Sequence, residues 1–344
     1  MKKRLLSLFL IGLLLTGCAF PGLSQPTSAG KKYTATFLDV FDTVTTIVGY
    51  DESKEAFEEK SRAIHDELRT FHQLFDIYNT YDGITNLKTV NDAAGGAPVQ
   101  VDPAVMALLK DCKTYFDLTQ GKVNVAMGSV LRLWHDARED AFDDPAHAYL
   151  PESQALQEAL AHTDLSFVVL DEAASTVQIT DPKLRLDVGA VAKGWSVQKV
   201  AEKAPSGLLI SVGGNVCATG AKDESGTPWV VGITDPNGGD YLHTIDNADK
   251  SVVTSGDYQR YFEVNGERYH HLIDPETLYP ATHMRAVSII HPDSGLADFL
   301  STTAFLLPYE QSVELISSIP EAEALWTLND GTEYSTEGFQ KLVK

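Results

Sequence analysis

Two side chains near the C-terminus have the types and spacing of a magnesium site. Asp298 and Thr302 are four residues apart in a predicted helix, so their oxygens project from the same face. A carboxylate together with a hydroxyl suits a hard cation such as Mg²⁺, which prefers oxygen ligands. The alternative is that the aspartate complements the helix dipole and the threonine bonds to its own turn. Spacing alone favours that alternative.

A glycine-containing loop at residues 186–194 has the composition of a phosphate-binding segment. It joins a predicted strand to a predicted helix, so its backbone can approach a ligand at the helix N-terminus, and Lys193 adds a cation. The loop is neither a Walker A motif nor a Rossmann fingerprint. Strand-to-helix joints often carry glycine for packing alone, and this alternative stays open. A second glycine-rich strand exit ends at Asn215.

The adjacent histidines His270 and His271 are candidates for acid–base chemistry. A small-residue turn is predicted at residues 254–257, and a hairpin at residues 265–266, where Asn-Gly is a strong hairpin signal. The hairpin brings both histidines to a loop that can face a ligand. His271 is the first candidate for a general base and Asp257 the second; the alternative for His271 is a ligand-positioning role. His270 is expected to point away, because adjacent strand residues face opposite sides.

These motifs together resemble the ApbE family of flavin transferases, which move FMN from FAD onto a threonine of another protein. The resemblance extends from Phe37 to the C-terminus, and its most diagnostic segments are TSGDY (254–258), HHLIDP (270–275), AKG (192–194) and ADFLST (297–302). It implies an α+β fold with a mixed, largely antiparallel sheet, flanking helices and two lobes within one T-fold-like domain. It also implies that the protein is a transferase.

The resemblance assigns roles to residues at matching positions. It implies that Asp298, Thr302 and the backbone carbonyl of Ala190 bind Mg²⁺, and that Asp187 and Lys193 contact FAD. Further FAD contacts are implied for Phe41, Tyr78, Lys122, Val123, Asn124 and His271. The chain departs from the usual family sequence at Asn124, Ala126, Ser129, Asn215 and Leu278, where Asp, Thr, Pro, Asp and Gly are common.

The implied reaction is a phosphoryl transfer, which depends mainly on positioning and on neutralising charge. With Mg²⁺ on the FAD pyrophosphate, a threonine or serine hydroxyl of the acceptor would attack the FMN phosphorus, form a phosphoester and release AMP. The implied acceptor is an exported protein with a Ser/Thr-Gly-Ala-Ser/Thr-like segment. Two other functions remain open: an Mg²⁺-dependent FAD pyrophosphatase giving FMN and AMP, and a flavin-binding lipoprotein without catalysis.

The N-terminus has the pattern of a bacterial lipoprotein signal. A cationic start precedes an apolar run too short to span a bilayer, and Leu-Thr-Gly-Cys then ends at Cys18. The alternative is a secretory signal with an incidental cysteine. The sequence predicts a signal peptide over residues 1–17, a lipidated Cys18 with a flexible tether over 18–35, and one transferase domain over 36–344. The protein is expected on the extracytoplasmic face of the cell membrane, anchored by lipid.

The charge argues against nucleic acid as a partner. The chain has 27 Lys and Arg against 48 Asp and Glu, and loss of the three basic residues of the signal leaves 24, with a net charge of −24. Nucleic-acid binding is not expected, because phosphate backbones require basic patches. Cys112 and Cys217 are predicted to be buried thiols rather than a disulfide.

Helical and strand patterns must position these residues. Apolar residues repeat every three or four positions over residues 52–78, which predicts one long helix, and Asp102-Pro103 predicts the start of another. Further helices are predicted at 192–203 and 297–307, and strands at 167–170, 177–179, 184–188, 208–212, 229–233 and 286–290. Because several neighbouring strands are joined by hairpins, a mixed α+β sheet is favoured over a doubly wound parallel sheet.

Overall fold

The computed structural model describes residues 30–344 as helices that flank antiparallel sheets. The helices of this part of the chain are α1 (Lys54–Phe75), α2 (Leu87–Asp92), α3 (Pro103–Leu118), α4 (Gly128–Asp143), α5 (Ser153–Leu160), α6 (Ala192–Ala201), α7 (Ser294–Leu306), α8 (Tyr309–Ser318) and α9 (Glu337–Leu342). The strands are β1 (Lys31–Val40), β2 (Thr43–Asp51), β3 (Val99–Gln100), β4 (Val168–Asp171), β5 (Thr176–Ile179), β6 (Leu208–Val212), β7 (Asn215–Ala218), β8 (Trp229–Thr234), β9 (Tyr241–Asn247), β10 (Ser251–Gly256), β11 (Tyr261–Val264), β12 (Glu267–His270), β13 (Met284–His291), β14 (Glu323–Leu328) and β15 (Glu333–Ser335).

The largest sheet has eight strands in the order β1-β2-β6-β7-β10-β13-β14-β15. Each neighbouring pair in this sheet is antiparallel. The smaller sheets β3-β5-β4, β8-β9 and β11-β12 are antiparallel as well. The predicted α+β class with a largely antiparallel sheet and flanking helices is confirmed, and so is the hairpin at residues 265–266, which joins β11 to β12.

Helix α7 is buried on all sides. It packs between α6 and the sheet strands β10 and β13, and nearly all its residues are buried. Such a helix is normally apolar all round, so each polar residue in α7 needs a reason to be there. Helix α7 begins at Ser294, earlier than predicted, because Asp293 accepts a hydrogen bond from the Leu296 N–H and caps it.

Helix α1 is shorter than the prediction of residues 52–78. Ser53 caps its start by accepting a hydrogen bond from the Ala56 N–H. Its end is set by Asp76, whose carboxylate accepts hydrogen bonds from the N–H groups of Tyr78 and Asn79 and turns the chain away. Tyr78 therefore lies in the turn after the helix. Helix α3 begins as predicted, with Asp102 as its cap.

The predicted strand at residues 184–188 is wrong, because its backbone groups are bonded elsewhere. The Asn91 Oδ1 accepts a hydrogen bond from the Leu186 N–H at 2.7 Å, and the Asn91 Nδ2 donates one to the Leu186 carbonyl at 2.9 Å. The Asp187 N–H donates to the Val125 carbonyl at 2.8 Å. This segment therefore forms only an isolated bridge to the chain before α4, and no ladder.

Two other predicted boundaries are also wrong. Residues 254–256, predicted as a turn, end strand β10 and pair with β13, because Thr254 and Ser255 continue the ladder that the preceding valines begin. Helix α6 ends at Ala201, two residues before its predicted end at Lys203. The first difference adds a strand where a turn was predicted, and the second only shortens a helix.

The N-terminal predictions fall mainly outside the described residues. The signal peptide, Cys18 and the tether up to residue 29 lie there. The tether was predicted to reach residue 35, but residues 31–35 belong to β1. The side chains of Tyr33 and Ala35, two residues apart in this strand, both pack against the core. Within residues 30–344 no helix is long and apolar enough to cross a membrane. Cys112 and Cys217 are buried free thiols, as predicted.

Candidate active site

The predicted metal ligands lie on the face of α7 that meets β10. Asp298 and Thr302 are 4% and 8% exposed. Thr302 Oγ1 is 3.4 Å from the hydroxyl of Ser255, which lies 2.9 Å from Ser301 Oγ. Asp293 caps the helix, so Asp298 is not needed for that role. The end of β10 and α7 thus form a cluster of oxygen atoms in the interior.

Helix α6 joins this cluster through its first turn. The Gly194 N–H donates a hydrogen bond to Asp298 Oδ2 at 2.8 Å. Gly194 lies in the first turn of α6, where N–H groups have no acceptor within the helix, so Asp298 satisfies this donor. The Ala190 carbonyl precedes the helix, accepts no hydrogen bond within residues 30–344 and can accept another partner. A carboxylate, a hydroxyl and a carbonyl form an all-oxygen donor set that fits Mg²⁺. Within residues 30–344, no three His, Cys, Asp or Glu side chains group as a metal site, and this donor set contains a single carboxylate.

Gly194 is required by the close approach of the two helices. A Cβ at this position would collide with the Ser294 carbonyl oxygen and with Asp298 Cβ. We expect Gly194→Ala to lower the free energy of unfolding by about 2–3 kcal/mol, because backbone cannot yield cheaply to an added methyl group. Urea denaturation measures this loss. Gly189→Ala is the control: its Cβ would meet only Asp187 Oδ1, at 3.1 Å, and should cost less. Equal losses in the two variants would contradict the prediction.

The carboxylate of Asp298 is buried, and a neighbouring cation would stabilise its negative charge. Burial raises its pKa, while Lys193, the Gly194 N–H and Asn215 act in the opposite direction. The nearest cation is Lys193, whose Nζ is 3.9 Å from Oδ2, beyond a direct hydrogen bond. A divalent ion at this point would keep the carboxylate ionised.

The predicted phosphate loop is folded tightly around Asp187. The Gly189 N–H donates to Asp187 Oδ1 at 2.8 Å, and Lys193 Nζ lies 3.4 Å from the Gly189 carbonyl. Burial raises the pKa of Asp187; the Gly189 N–H and the charges of His135 and Arg138 oppose it. Asp187 also lines a cavity together with Tyr78. Two predicted FAD contacts, Asp187 in this loop and Tyr78 after α1, therefore line the same cavity.

The sequence analysis did not predict the basic side chains near Tyr78, which are His135, Arg138 and Arg260. The Tyr78 ring stacks on His135 of α4, with centroids 4.6 Å apart. Arg138 Nη2 lies 3.0 Å from His135 Nδ1, and the Arg138 side chain is only 17% exposed. Burial and then the charge of Arg260 lower the pKa of Arg138, so two arginines lie near each other. Such a pair is suited to an anionic ligand.

His270 and His271 differ in burial and in hydrogen-bond partners. His270 is buried, with Nε2 2.8 Å from the Ala281 carbonyl. His271 is half-buried, and its Nδ1 lies 3.3 Å from the carbonyl of Arg260. Burial, followed by the charges of Arg260 and Arg138, lowers the pKa of His271 well below its ordinary value. A neutral imidazole in this position can accept a proton.

Asp257, the second candidate base, is held in an ion pair. Arg285 Nε donates to Asp257 Oδ2 at 2.7 Å. The same guanidinium binds Asn237 Oδ1 and the Pro236 carbonyl, at 3.0 and 2.9 Å. Asp257 thereby anchors the loop between β8 and β9. Arg285 engages Oδ2, while Oδ1 is buried without a partner within residues 30–344. His271 and Asp257 stay the first and second predicted bases.

The residues predicted at the flavin edge have structural partners. Lys122 pairs with Asp274 and Glu276, at 3.3 and 2.7 Å. The Asn124 side chain donates to the Thr163 carbonyl at 2.7 Å and accepts from the Ala126 N–H at 2.8 Å. Val123 is buried in the main core. A flavin contact from this segment would therefore come from its backbone, while its side chains fix the loop.

Two tight turns lie side by side at one end of the sheet. Phe41 and Asp42 join β1 to β2 with φ angles of 53° and 49°, in the left-handed region that non-glycine residues seldom occupy. The Phe41 N–H donates to His72 Nδ1 at 3.1 Å. A Cβ on Gly213, in the turn between β6 and β7, would meet Thr43 Oγ1 at 2.7 Å. Strain of this kind is often kept at functional sites, and Phe41 stays a predicted ring contact.

The loop after His271 is held by a residue that departs from the family pattern. Leu278 has a φ of 64° and is 1% exposed. Its carbonyl accepts a hydrogen bond from Trp134 Nε1 at 2.9 Å, and its side chain fills a second core with Trp134 and Phe262. The contacts of the buried Leu278 side chain offset the energetic cost of its left-handed backbone conformation.

Comparison with known proteins agrees with this architecture. The ApbE family is matched over residues 41–326, most of the chain. An FAD:protein FMN transferase of Treponema pallidum is 36% identical over 277 residues, covering 75% of each chain. A transferase of the same name from Vibrio cholerae is 26% identical over 347 residues, covering 96% of each chain. The crystal structure of the ApbE protein of Thermotoga maritima superposes with a TM-score of 0.80 at 28% identity, covering 91% of this chain and all of that one. The chain belongs to the ApbE family.

Proposed function

We propose that the protein transfers FMN from FAD to a threonine or serine hydroxyl of an acceptor protein and releases AMP. The observation that carries the proposal is the buried Asp298 carboxylate, one helical turn from Thr302, which accepts the Gly194 N–H at the start of α6 and lies 3.9 Å from Lys193 Nζ. The names of the relatives support the same reaction. Oxygen donors for a hard cation and nearby basic groups are what a pyrophosphate substrate requires.

Different residues of the chain would bind the metal ion, the nucleotide and the flavin ring. Asp298, Thr302 and the Ala190 carbonyl would hold Mg²⁺, which when bound supplies a Lewis acid for the pyrophosphate. Lys193 and Asp187 would contact the nucleotide at the start of α6. Tyr78, already stacked on His135, and Phe41 would lie against the flavin ring, together with the backbone of residues 122–124.

The transfer is a displacement at the FMN phosphorus. The acceptor oxygen forms a new bond to that phosphorus, and the bond from phosphorus to the bridging oxygen breaks. The bridging oxygen leaves with AMP, and the hydroxyl proton passes to neutral His271. Arg138 and Arg260, whose charges both act on His271, would counter the negative charge of the diphosphate.

The location and partner follow from the N-terminal sequence and the chemistry. We propose that Cys18 carries lipid and holds the domain on the extracytoplasmic face of the cell membrane. The acceptor would then be another exported protein with a Ser/Thr-Gly-Ala-Ser/Thr-like segment. The acidic chain gives no reason to expect nucleic acid as a partner.

One incubation separates the three candidate functions. The purified chain is mixed with FAD, Mg²⁺ and an acceptor carrying the expected segment, and a matched acceptor has alanine in place of the receiving hydroxyl. A mass gain equal to FMN on the first acceptor alone, with AMP released, supports transfer. Free FMN with an unmodified acceptor indicates a pyrophosphatase. Unchanged FAD indicates a binding protein and overturns the proposal.

The pH dependence tests His271 as the base. Because burial and the neighbouring arginines place its folded-state pKa well below the ordinary value of about 6.5, the imidazole stays neutral until more acidic pH. The transfer rate should therefore hold through pH 6.5 and fall only below it. Arg138→Gln removes one of these charges, so it should raise the pKa of His271 and move the acid limb to higher pH.

The control for this profile is Arg132→Gln on the same helix. Arg132 is paired with Asp136 at 2.7 Å, so its removal should leave the acid limb in place. Rates at saturating FAD across pH 4.5–8 measure both limbs. An unchanged acid limb in Arg138→Gln would contradict the prediction.

A further inference from the structure

His72 lies in the last turn of α1, between two turns that carry proposed flavin contacts. One is the β1–β2 turn with Phe41, and the other is the turn after α1 with Tyr78. The rings of His72 and Phe41 meet edge to face, with centroids 5.6 Å apart. The Tyr81 ring also meets the imidazole edge to face, at 6.2 Å. His72 therefore contacts the first turn directly, and Tyr81 lies next to it on the side chain's route to the second.

The hydrogen bonds of His72 assign its proton. The Phe41 N–H donates to Nδ1 at 3.1 Å, so Nδ1 carries a lone pair and the proton of the neutral ring is on Nε2. Nε2 lies 3.2 Å from the Tyr81 hydroxyl, whose own proton is donated to Asp76 Oδ2 at 2.6 Å. The Tyr81 oxygen therefore accepts from the Nε2–H of His72. Every donor and acceptor in this series has a single possible role.

Asp76 extends the series to the Tyr78 turn. Its Oδ1 accepts hydrogen bonds from the N–H groups of Tyr78 and Asn79, at 2.6 and 2.9 Å. Burial, followed by the hydrogen bond to Asp76, raises the pKa of Tyr81, so the phenol keeps its proton and remains the donor. A hydrogen-bond network through the side chains of His72, Tyr81 and Asp76 thus joins the backbone of Phe41 to the backbone of Tyr78. We call it the His72 network.

The turn at Phe41 needs such a support. Phe41 and Asp42 both have positive φ angles, and two-residue hairpin turns of this kind usually contain Asn and Gly. A phenylalanine is disfavoured in this backbone conformation, and residues of this kind persist where the surrounding structure holds them for a function. The ring of Phe41 is a proposed flavin contact, and His72 supplies the acceptor that holds its N–H.

We infer that His72 is a positioning residue that fixes Phe41 and Tyr78 relative to each other, so that both side chains are in place before the flavin ring binds. The inference rests on the proposed function, because it takes FAD as the ligand. It goes beyond that function by naming the group that holds the flavin contacts. His72 does not have to touch the ligand for this role. Loss of its Nδ1 acceptor should weaken binding of the flavin ring and leave binding of the rest of the nucleotide unchanged.

The test compares FAD with ADP, which has the adenosine and a diphosphate but no flavin ring. Both are titrated by calorimetry into the full chain in EDTA, so that FAD is not consumed. His72→Gln keeps an amide within reach of Tyr81 but has no acceptor at the position of Nδ1. It should weaken FAD binding by about tenfold, as expected for one lost hydrogen bond, and leave ADP affinity within about twofold.

Three further variants show which bond matters. His72→Asn is the rescue, because its Oδ1 occupies the position of Nδ1 and can accept the Phe41 N–H, so it should bind FAD more tightly than His72→Gln does. Tyr81→Phe interrupts the His72 network and should weaken FAD but not ADP. Tyr149→Phe is the control, because this hydroxyl also donates to an aspartate, Asp140, but in the exposed last turn of α4. It should bind both ligands like the wild type.

The two ligands distinguish positioning of the flavin contacts from a general structural role. Equal weakening of FAD and ADP in His72→Gln would show a general structural role and overturn the inference. Wild-type FAD affinity in Tyr81→Phe, or no gain of His72→Asn over His72→Gln, would overturn it as well. The proposed function is judged separately: if the wild-type chain binds FAD but does not label the acceptor, transfer fails while the role of His72 in binding still stands or falls on these titrations.

Discussion

Replacing Asp298 by alanine is expected to lower the rate of FMN transfer by about 10³-fold or more. The variant loses the one carboxylate among the proposed Mg²⁺ ligands, and polarisation of a phosphoryl oxygen by a metal ion contributes several kcal/mol to catalysis. The measurement is the initial rate of FMN attachment to the acceptor at saturating FAD and Mg²⁺. Labelling at the wild-type rate would contradict the assignment.

Asp298→Asn separates the loss of charge from the loss of structure. The amide oxygen can still accept the hydrogen bond from the Gly194 N–H, which the wild-type carboxylate accepts at 2.8 Å. The contact between α6 and α7 is therefore retained. We expect this variant to fold like the wild type and to be nearly as inactive as Asp298→Ala. Thermal unfolding and Mn²⁺ titration report these two properties. An active Asp298→Asn protein would show that the carboxylate serves only to join the helices.

Replacing His271 by glutamine is expected to lower the maximal rate by about 10²–10³-fold with little change in FAD affinity. Loss of a positioned base commonly has an effect of this size. The half-buried imidazole lies beside the Arg260 carbonyl, and its depressed pKa keeps it neutral. Single-turnover labelling gives the rate, and quenching of flavin fluorescence gives the FAD dissociation constant.

The same two measurements decide between a base and a positioning group. If His271→Gln weakens FAD binding and keeps the wild-type rate at saturating FAD, His271 positions the ligand and the base is another group. His147→Gln is the matched control, because the His147 side chain is 82% exposed and pairs only with Asp144 in its own turn. That variant should resemble the wild type in both measurements.

Features determined by local sequence were predictable. The hairpin at residues 265–266 and the start of α3 depend on neighbouring residues, and both are confirmed. The strand predicted at 184–188 failed because its partner is the Asn91 side chain, 95 residues away from Leu186 in sequence. Sequence periodicity contains no information about such a partner.

The cations of the site were missed for a related reason. Arg138 has a helical neighbour in His135 that the sequence could have shown, at a spacing of three residues in α4. Its relation to Arg260 depends on how α4 packs against the β11–β12 hairpin, which only the fold reveals. Asp257 looked available as a base for the same reason, since its partner Arg285 lies on a different strand. The proposed metal ligands Asp298 and Thr302 could be named early only through the family resemblance, because their spacing alone favours a structural role.

The bond between the Gly194 N–H and Asp298 has a consequence for turnover. It anchors the carboxylate through the start of a neighbouring helix, so the side chain cannot swing away when a ligand departs. The donor atoms should thus persist between catalytic cycles, and release of a product need not dismantle them. A chelator should then stop the enzyme reversibly and leave its far-ultraviolet circular dichroism unchanged, in contrast to small domains that unfold when their ion is removed.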